Sequence, residues 1–190
     1  MNENLKDIAL IDRILLGDKS AYSLLINRHK NYAFTVAFRI LNSREDAEEV
    51  AQDAFMQAFS ALKTFNRASK FTTWFYRIVF NAALMVKRKN QILGEDISQH
   101  TDNQQVSSFD SLNDFQNEER NFFIQKALQE LSADDVAMIT LFYLKENSLE
   151  EISEITGISA ETAKVKLHRA RKRLAETMQK MMGKEVKSLI

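Results

Sequence analysis

The clearest chemical signal in the 190-residue chain is a cationic stretch near its end. Residues 162–175 contain six Lys or Arg side chains and His168, but no Asp or Glu. On a helix, this stretch would have one apolar face and an opposite polar face edged by cations. Such a surface fits the major groove of DNA, where the centre reads base edges and the edges hold phosphates. The predicted inward residues are Ala163, Leu167, Ala170 and Leu174, and the outward ones are Glu161, Val165, His168, Arg169 and Lys172, flanked by Lys164 and Arg171 on one side and by Lys166 and Arg173 on the other.

A second stretch suited to nucleic acid covers residues 54–94, which also contain no Asp or Glu. Its seven Lys and Arg side chains are interleaved with aromatic rings such as Phe65 and Trp74. Cations that follow a phosphate backbone and rings that stack on unpaired bases are what single-strand binding requires, at roughly 1–3 kcal/mol per stacked base. Phe75 and Ile78 are expected in the core instead. The residues expected to contact the strand are Asn66, Arg67, Thr72 and Thr73.

The segment before that stretch has the opposite charge. Its acidic side chains surround an apolar seam, and they are Glu45, Asp46, Glu48, Glu49 and Asp53. Such a helix face is usually only solvated. Beside a DNA-binding surface, however, it would repel phosphate, and we therefore expect it to bind a protein partner.

Helical periodicity positions the cationic stretch near the C-terminus. Residues 149–174 predict a helix, a turn and a second helix, with Ile152 and Ile155 lining the first. Gly157 suits the turn because glycine tolerates positive φ, and Ser159 can cap the second helix.

Four further helical segments are predicted in the N-terminal half. Residues 5–16 form a short amphipathic turn or two, and a long helix follows. Residues 43–46 match a capping box at the start of the acidic helix. The apolar positions that mark the long helix are Ala21, Leu24, Leu25, Tyr32, Ala33, Val36, Ala37 and Ile40; those of the acidic helix are Ala47, Val50, Ala51, Ala54, Ala58 and Leu62; and those of a helix near residues 72–89 are Trp74, Ile78, Ala82 and Met85.

Composition favours an all-α protein. The chain has 4 Gly and no Pro, too few for the many tight turns of a β-rich fold. It has no Cys, which excludes disulfides and thiolate metal sites. The N-terminal segment is neither a signal peptide nor a membrane span, because charges interrupt its apolar residues, and we expect the protein in the cytoplasm.

The formal net charge of 0 conceals a segregation of charge along the chain. Residues 94–118 contain six acidic side chains and no Lys or Arg. Because residues 94–117 are also polar and lack periodicity, they predict a flexible linker. The predicted fold is therefore all-α, with two small helical domains at residues 1–93 and 118–190 joined by an acidic tether.

These residues resemble the extracytoplasmic-function group of the sigma-70 family over about residues 8–90 and 118–180. Residues 46–55 are similar to the helix that binds core RNA polymerase, residues 65–81 to the segment that captures a flipped base of the minus-10 element, and residues 152–174 to the helix-turn-helix that reads the minus-35 element. The resemblance implies a sigma factor without a catalytic site, cofactor or metal. It also implies a cognate anti-sigma factor, often membrane-bound, besides core polymerase and promoter DNA as duplex and as melted strand.

The resemblance, together with the charge pattern, assigns three groups of site residues. Polymerase binding is assigned to Asp46, Glu48, Glu49, Gln52, Asp53 and Phe55. Minus-10 DNA is assigned to Asn66, Arg67, Lys70, Thr72, Thr73, Trp74, Arg77, Lys87 and Arg88. Minus-35 DNA is assigned to Ser159, Thr162, Lys164, Val165, Lys166, His168, Arg169, Arg171 and Lys172.

The chain departs from the family pattern at three points. Ser132 stands where the family usually has Pro, and it can cap the following helix instead. Ser153 replaces a typical Ala, and Ala163 replaces a usual Val. None of these changes removes a feature on which the resemblance depends.

Other functions explain less of the sequence. A stand-alone helix-turn-helix regulator would account for residues 157–174 but not for the acid-free aromatic stretch. An enzyme is disfavoured because no glycine-rich phosphate loop, metal-spaced His/Cys set or nucleophile motif is present. A purely structural helical adaptor would leave both cationic stretches unexplained.

Overall fold

The computed structural model of the chain describes residues 3–93, 123–124, 126–144 and 147–188. Every regular element in these residues is helical, which confirms the all-α prediction. The predicted linker, residues 94–117, lies outside the described residues. The helices are α1 (Glu3–Leu15), α2 (Lys19–Leu41), α3 (Arg44–Ala61), a 3-10 turn (Leu62–Thr64), α4 (Phe71–Leu93), α5 (Ala133–Leu144), α6 (Leu149–Thr156) and α7 (Ala160–Ser188), and residues 123–124 and 126–129 are helical as well.

Local capping explains where the N-terminal helices begin and end. Asp18 caps α2 by accepting a hydrogen bond from the Ser20 amide at 2.9 Å. Hydrogen bonds from Ser20 and Arg13 lower the pKa of Asp18 to about 2. The chain then leaves α2 through Asn42, whose φ of 55° is left-handed, and Ser43 caps α3 through the Asp46 amide. The predicted Ser43 cap is therefore present, and α2 and α3 are joined by a tight two-residue turn.

Small residues bring α3 close to its neighbours. The predicted seam is buried throughout, and its residues are Ala47, Val50, Ala51, Ala54, Ala58 and Leu62. Alanine side chains allow close approach of helix backbones, so α3 packs tightly against α2 and α4. The buried face predicted for α2, from Tyr32 to Ile40, is also confirmed.

Helix α4 is in the predicted place and Phe75 is buried as predicted, but the four residues that marked the helix do not form its buried face. Met85 is 66% exposed. Trp74, Ile78 and Ala82 are only half-buried. The buried residues are Phe71, Phe75, Tyr76, Val79, Phe80 and Ala83. Ile78, also predicted in the core, packs only partly against it, because α4 carries two neighbouring apolar stripes and period alone does not choose between them.

The C-terminal helices begin at serine caps. Ser132 accepts a hydrogen bond from the Asp135 amide before α5, as expected for a residue that replaces Pro. Ser148 and Glu151 form a reciprocal capping box at the start of α6. Gly157 ends α6 with a φ of 76°, which confirms its predicted role in the turn to α7.

The two halves of the chain share one apolar interior. Helix α4 packs against α6, and α2 packs against α5. Each fully buried Leu or Ile in this interior contributes about 1.5–3 kcal/mol relative to an exposed position. The C-terminal residues that enter it are Ala137, Met138, Leu141, Ile152, Ile155 and Ala163. The described conformation is therefore closed, with the helix-turn-helix seated on the N-terminal half.

A buried polar cluster fixes α1 to α2 and α4. The Asp7 carboxylate is 1% exposed and accepts a hydrogen bond from Arg28 Nε at 2.8 Å. His29 Nε2 lies 3.1 Å from the same Asp7 oxygen. On its other side, His29 Nδ1 lies 3.2 Å from the Tyr76 hydroxyl of α4. Asp7 thus links α1 to α2, and His29 extends the polar cluster from α2 to α4.

No helix in the described residues is both long and apolar enough to span a membrane.

The polar cluster predicts a large stability effect at Asp7. Asp7→Asn removes the negative charge from a buried position, so Arg28 loses its buried carboxylate partner and keeps only the exposed Glu3, and His29 loses the carboxylate beside its Nε2. We expect the free energy of unfolding to fall by roughly 2–3 kcal/mol. Urea unfolding followed by circular dichroism measures this loss. The control is Asp12→Asn, because Asp12 pairs with Arg67 at the surface and should contribute less than about 1 kcal/mol. Equal losses in the two variants would contradict the role given to Asp7.

Candidate nucleic-acid interface

Helices α6 and α7 form the helix-turn-helix that presents the C-terminal cations. Ser159 caps α7 by accepting a hydrogen bond from the Thr162 amide at 3.2 Å, as predicted. Ala163, Leu167 and Ala170 are buried beneath α7. The opposite face is exposed along its length, and it carries Glu161, Lys164, Val165, His168, Arg169 and Lys172. The predicted division of α7 into an inward and an outward face is therefore confirmed.

The edges of this outward face are held by α5. Lys166 Nζ lies 3.4 Å from Asp134, and Arg173 pairs with Asp135. On the other edge, the Arg171 guanidinium lies over two rings of the C-terminal half, 5.3 Å from the centroid of Phe142 and 5.6 Å from that of Tyr143. The sequence pattern could not reveal these partners. They orient the edge cations before any DNA is bound.

A short aromatic cluster supports the loop of residues 65–70 in the N-terminal half. The Phe65 ring centroid lies 5.1 Å from that of Trp74 and 6.0 Å from that of Phe71. Phe65 and Phe71 are buried, whereas Trp74 is only half-buried. The loop thus rests on a fixed aromatic base at the start of α4.

Two exposed residues give the loop its shape. Asn66 Oδ1 accepts a hydrogen bond from the Ala68 amide at 3.0 Å. Arg67 has a φ of 62°, which is uncommon for a side chain other than glycine, and it pairs with Asp12 of α1. Asn66 and Arg67 are therefore presented at the surface by a constrained backbone.

Two residues of the predicted minus-10 group are not free in the closed conformation, because one is ion-paired and the other is buried. Lys70 Nζ lies 2.7 Å from Glu151 of α6, whose side chain is 18% exposed. Thr73 is 2% exposed, and its buried hydroxyl has no hydrogen-bond partner among the described residues. Lys70 is thus occupied by the helix-turn-helix, and Thr73 is inaccessible in this conformation.

The remaining residues of that group are spread along α4. Arg77 and Arg88 are exposed, and Thr72 is half-buried. Lys87 is half-buried and donates a hydrogen bond to the Ile40 carbonyl of α2 at 2.9 Å. Burial lowers the pKa of Lys87, against an opposing effect of Asp134. Lys87 therefore fastens α4 to α2 in this conformation.

The acidic surface of α3 is open. Glu48, Glu49, Gln52 and Asp53 are exposed. Asp46 is half-buried and accepts a hydrogen bond from Asn90 of α4 at 3.3 Å.

Two hydrophobic residues of α3 differ from what the sequence predicted for this surface, since Phe55 is buried and Met56 is exposed. Phe55 is 7% exposed, with its ring centroid 4.5 Å from that of Phe75, so it packs α3 against α4. Met56, which the sequence reasoning missed, is 63% exposed. It follows Gln52 and Asp53 by four and three residues and therefore lies on their face. That spacing was the signal that could have identified it.

A cleft of about 660 Å³ lies between the two halves of the chain. Its apolar lining includes Phe80 and Leu84 of α4 and Met138 of α5. Lys87 and Arg88 line it from α4 and Lys166 from α7, so the cleft brings together cations from both predicted DNA-binding groups.

Two family matches cover the two halves of the chain. Residues 25–92 match sigma-70 region 2, and residues 124–174 match sigma-70 region 4. The ECF RNA polymerase sigma-E factor of Haemophilus influenzae is 30% identical over 96% of this chain and 100% of its own length. The RNA polymerase sigma-H factor of Pseudomonas aeruginosa is 27% identical over 93% of this chain and 96% of its own.

Solved structures with the same fold accompany these matches. CnrH in complex with the cytosolic domain of CnrY has a TM-score of 0.66 and 20% identity, and the similarity covers 91% of this chain and 97% of CnrH. Sigma factor RpoE in complex with the anti-sigma factor NepR, from Bartonella quintana, has a TM-score of 0.64 and 23% identity over 83% of this chain and 96% of RpoE.

The contact between Lys70 and Glu151 predicts a measurable effect on domain closure. Glu151→Gln removes the ion pair but preserves the capping box, because Gln also serves at that position. We expect the population of open molecules to rise about two- to fivefold, as the loss of a partly exposed ion pair implies. Because the chain has no Cys, nitroxide labels at Gln57→Cys and Lys180→Cys report the distance between the halves by pulsed electron resonance.

Glu150→Gln is the matched control. Glu150 is the exposed neighbour of Glu151 in α6, and its substitution should leave the distance distribution unchanged. If Glu151→Gln also leaves the distribution unchanged, the ion pair does not contribute to closure.

Proposed function

We propose that this chain reads two promoter elements while it is bound to core RNA polymerase. The chain belongs to the extracytoplasmic-function group of the sigma-70 family and is a sigma factor that directs promoter-specific transcription. The observation that carries this proposal is the presence of two separate surfaces suited to DNA, one in each matched region. The outward face of α7 is suited to duplex DNA, and the loop of residues 65–70 is suited to an unpaired strand.

The outward face of α7 reads the minus-35 duplex in this proposal. His168 and Arg169 lie at its centre, where an Arg can bind the O6 and N7 atoms of guanine. Lys164 flanks this face and Lys172 lies further along it, and both can reach phosphates. Lys166 and Arg171 add to the binding of the minus-35 duplex after they exchange or share their contacts with α5. Ser159 and Thr162 stand at the start of α7, where recognition helices approach the bases.

The loop of residues 65–70 and the start of α4 capture the minus-10 strand. Asn66 and Arg67 are already exposed, and Trp74 offers a partly exposed ring for stacking. Lys70 joins them once it releases its ion pair with Glu151 of α6, and Thr73 joins them only if its buried hydroxyl becomes accessible. Full strand capture in this proposal therefore requires the loop to exchange its contact with α6 for contacts with the strand.

Promoter opening needs no catalytic residue in this chain. The binding energy of a captured base offsets the few kcal/mol needed to unstack and flip it. The chain is therefore a binding subunit and not an enzyme, and the chemistry of RNA synthesis belongs to the polymerase.

The exposed acidic surface of α3 binds core polymerase. Its carboxylates are open to solvent in the closed conformation, so docking does not depend on prior domain opening. Met56 adds an exposed apolar contact at the C-terminal end of this surface. Phe55 acts from beneath by fixing α3 on α4. A sigma factor with these surfaces acts in the cytoplasm, where polymerase and promoter DNA are found.

An anti-sigma factor is a further proposed partner. CnrH and RpoE, which share the fold, were solved with CnrY and with the anti-sigma factor NepR. The cleft between the two halves of the chain offers such a partner contacts with both halves at once. A stand-alone regulator is not favoured, because two sigma-70 regions match in the expected order.

Transcription with purified core polymerase tests the division of roles. Arg169→Ala removes a central side chain of the outward face and should lower promoter-specific transcript by roughly tenfold or more, the effect of losing a base contact of 1–3 kcal/mol. Its co-elution with core polymerase should be unchanged. Lys180→Ala, an exposed cation further along α7, is the control and should transcribe like the wild type. Loss of core binding in Arg169→Ala would show that the roles of the two halves are misassigned.

A further inference from the structure

The contacts of α7 restrict which of its side chains are free to select a base. Lys166 pairs with Asp134, Arg173 pairs with Asp135, and Arg171 lies over aromatic rings. These three cations are held at the edges of the helix by its own domain. Base selection therefore depends chiefly on the central line of the outward face.

Val165 is the unusual residue on that central line. It is 46% exposed, and no other large hydrophobic residue is exposed among the α7 residues with described side chains. One turn on either side of it, the face is polar, with Glu161 before it and His168 and Arg169 after it. Almost half of this apolar side chain is therefore open to solvent in the closed conformation.

Local stability does not account for a valine at this position. β-Branched residues lose side-chain freedom in a helix, so an exposed Lys, Gln or Arg would favour the helix more. The same stiffness is an advantage for recognition, because the two γ-methyl groups are held in one direction and lose little freedom on binding. Val165 is thus a rigid apolar point within a cationic, water-covered surface.

Only one base presents a matching apolar group in the major groove. Thymine carries a C5-methyl there, whereas the other three bases present hydrogen-bonding groups. We propose that Val165 selects a thymine in the minus-35 element by packing its γ-methyl groups against the thymine methyl. This inference rests on the proposed function of α7 as the minus-35 reader, and it names the base that one of its residues requires.

The contact can be tested on the complete holoenzyme by removing a single methyl group from the DNA. Promoters are first selected by transcription from a library with a randomised minus-35 region. Each thymine of the selected element, on either strand, is then replaced with deoxyuridine, which lacks only the methyl group. The substituted and unsubstituted promoters compete in one reaction and are distinguished by transcript length.

We expect one replacement to lower transcription by the wild-type holoenzyme about fourfold, the effect of losing one buried methyl group. The same replacement should have no effect with Val165→Ala, which keeps the helix but lacks the γ-methyl groups. Val165→Thr retains one γ-methyl group and should respond to the replacement in the same direction.

Three outcomes would overturn the proposal. First, the wild type and Val165→Ala could respond identically to every deoxyuridine. Second, the selected element could contain no thymine on either strand. In both cases promoter-specific transcription continues, so only the role proposed for Val165 is contradicted. If the holoenzyme gives no promoter-specific transcript, the proposed function fails and this inference fails with it.

Discussion

The packing of α4 on both of its sides is the constraint on which the rest of the structure depends. On one side, Phe75 packs against Phe55 of α3, and the Phe71 ring lies 5.5 Å from His29 of α2. On the other side, α4 packs against α6, the first helix of the helix-turn-helix. Each side contributes buried apolar area, so neither contact is lost without a cost in stability. The helix that carries the predicted minus-10 residues is therefore also the helix that holds the two halves of the chain together.

Because α4 both carries predicted minus-10 residues and joins the two halves, the functional surfaces fall into two classes. The acidic surface of α3 and the outward face of α7 are exposed while the protein is closed, so they can meet their partners directly. Lys70 is exposed but paired with Glu151 of α6, and Thr73 is buried, so neither is free to bind a strand in this conformation. The energy to break the ion pair and to expose Thr73 has to come from contacts outside the chain, which polymerase and promoter DNA can provide together. Closure thus favours strand capture within the assembled complex over capture by the free protein.

Local signals predicted much of this structure. The Ser43, Ser132 and Ser159 caps, the Gly157 turn and the two faces of α7 depend on neighbouring residues, and each was found. The burial of Phe75 was predicted, but the rest of the buried face of α4 and the burial of Phe55 were not, because the sequence pattern of an apolar residue packed between helices is the same as that of an apolar residue that binds a partner. Packing between the halves depends on residues far apart in the chain, so the ion pair between Lys70 and Glu151 left no local signal.

The most direct test of the account is binding to sigma-free core RNA polymerase, measured by co-elution in size exclusion. The double variant Glu49→Lys and Asp53→Lys reverses two exposed charges of the α3 surface and leaves the partly buried Asp46 in place. The control, Glu154→Lys with Glu176→Lys, makes the same charge change at exposed positions of the C-terminal half. The account predicts that the wild type and the control co-elute with polymerase and that the α3 variant does not. Co-elution of the α3 variant at the wild-type level would contradict it.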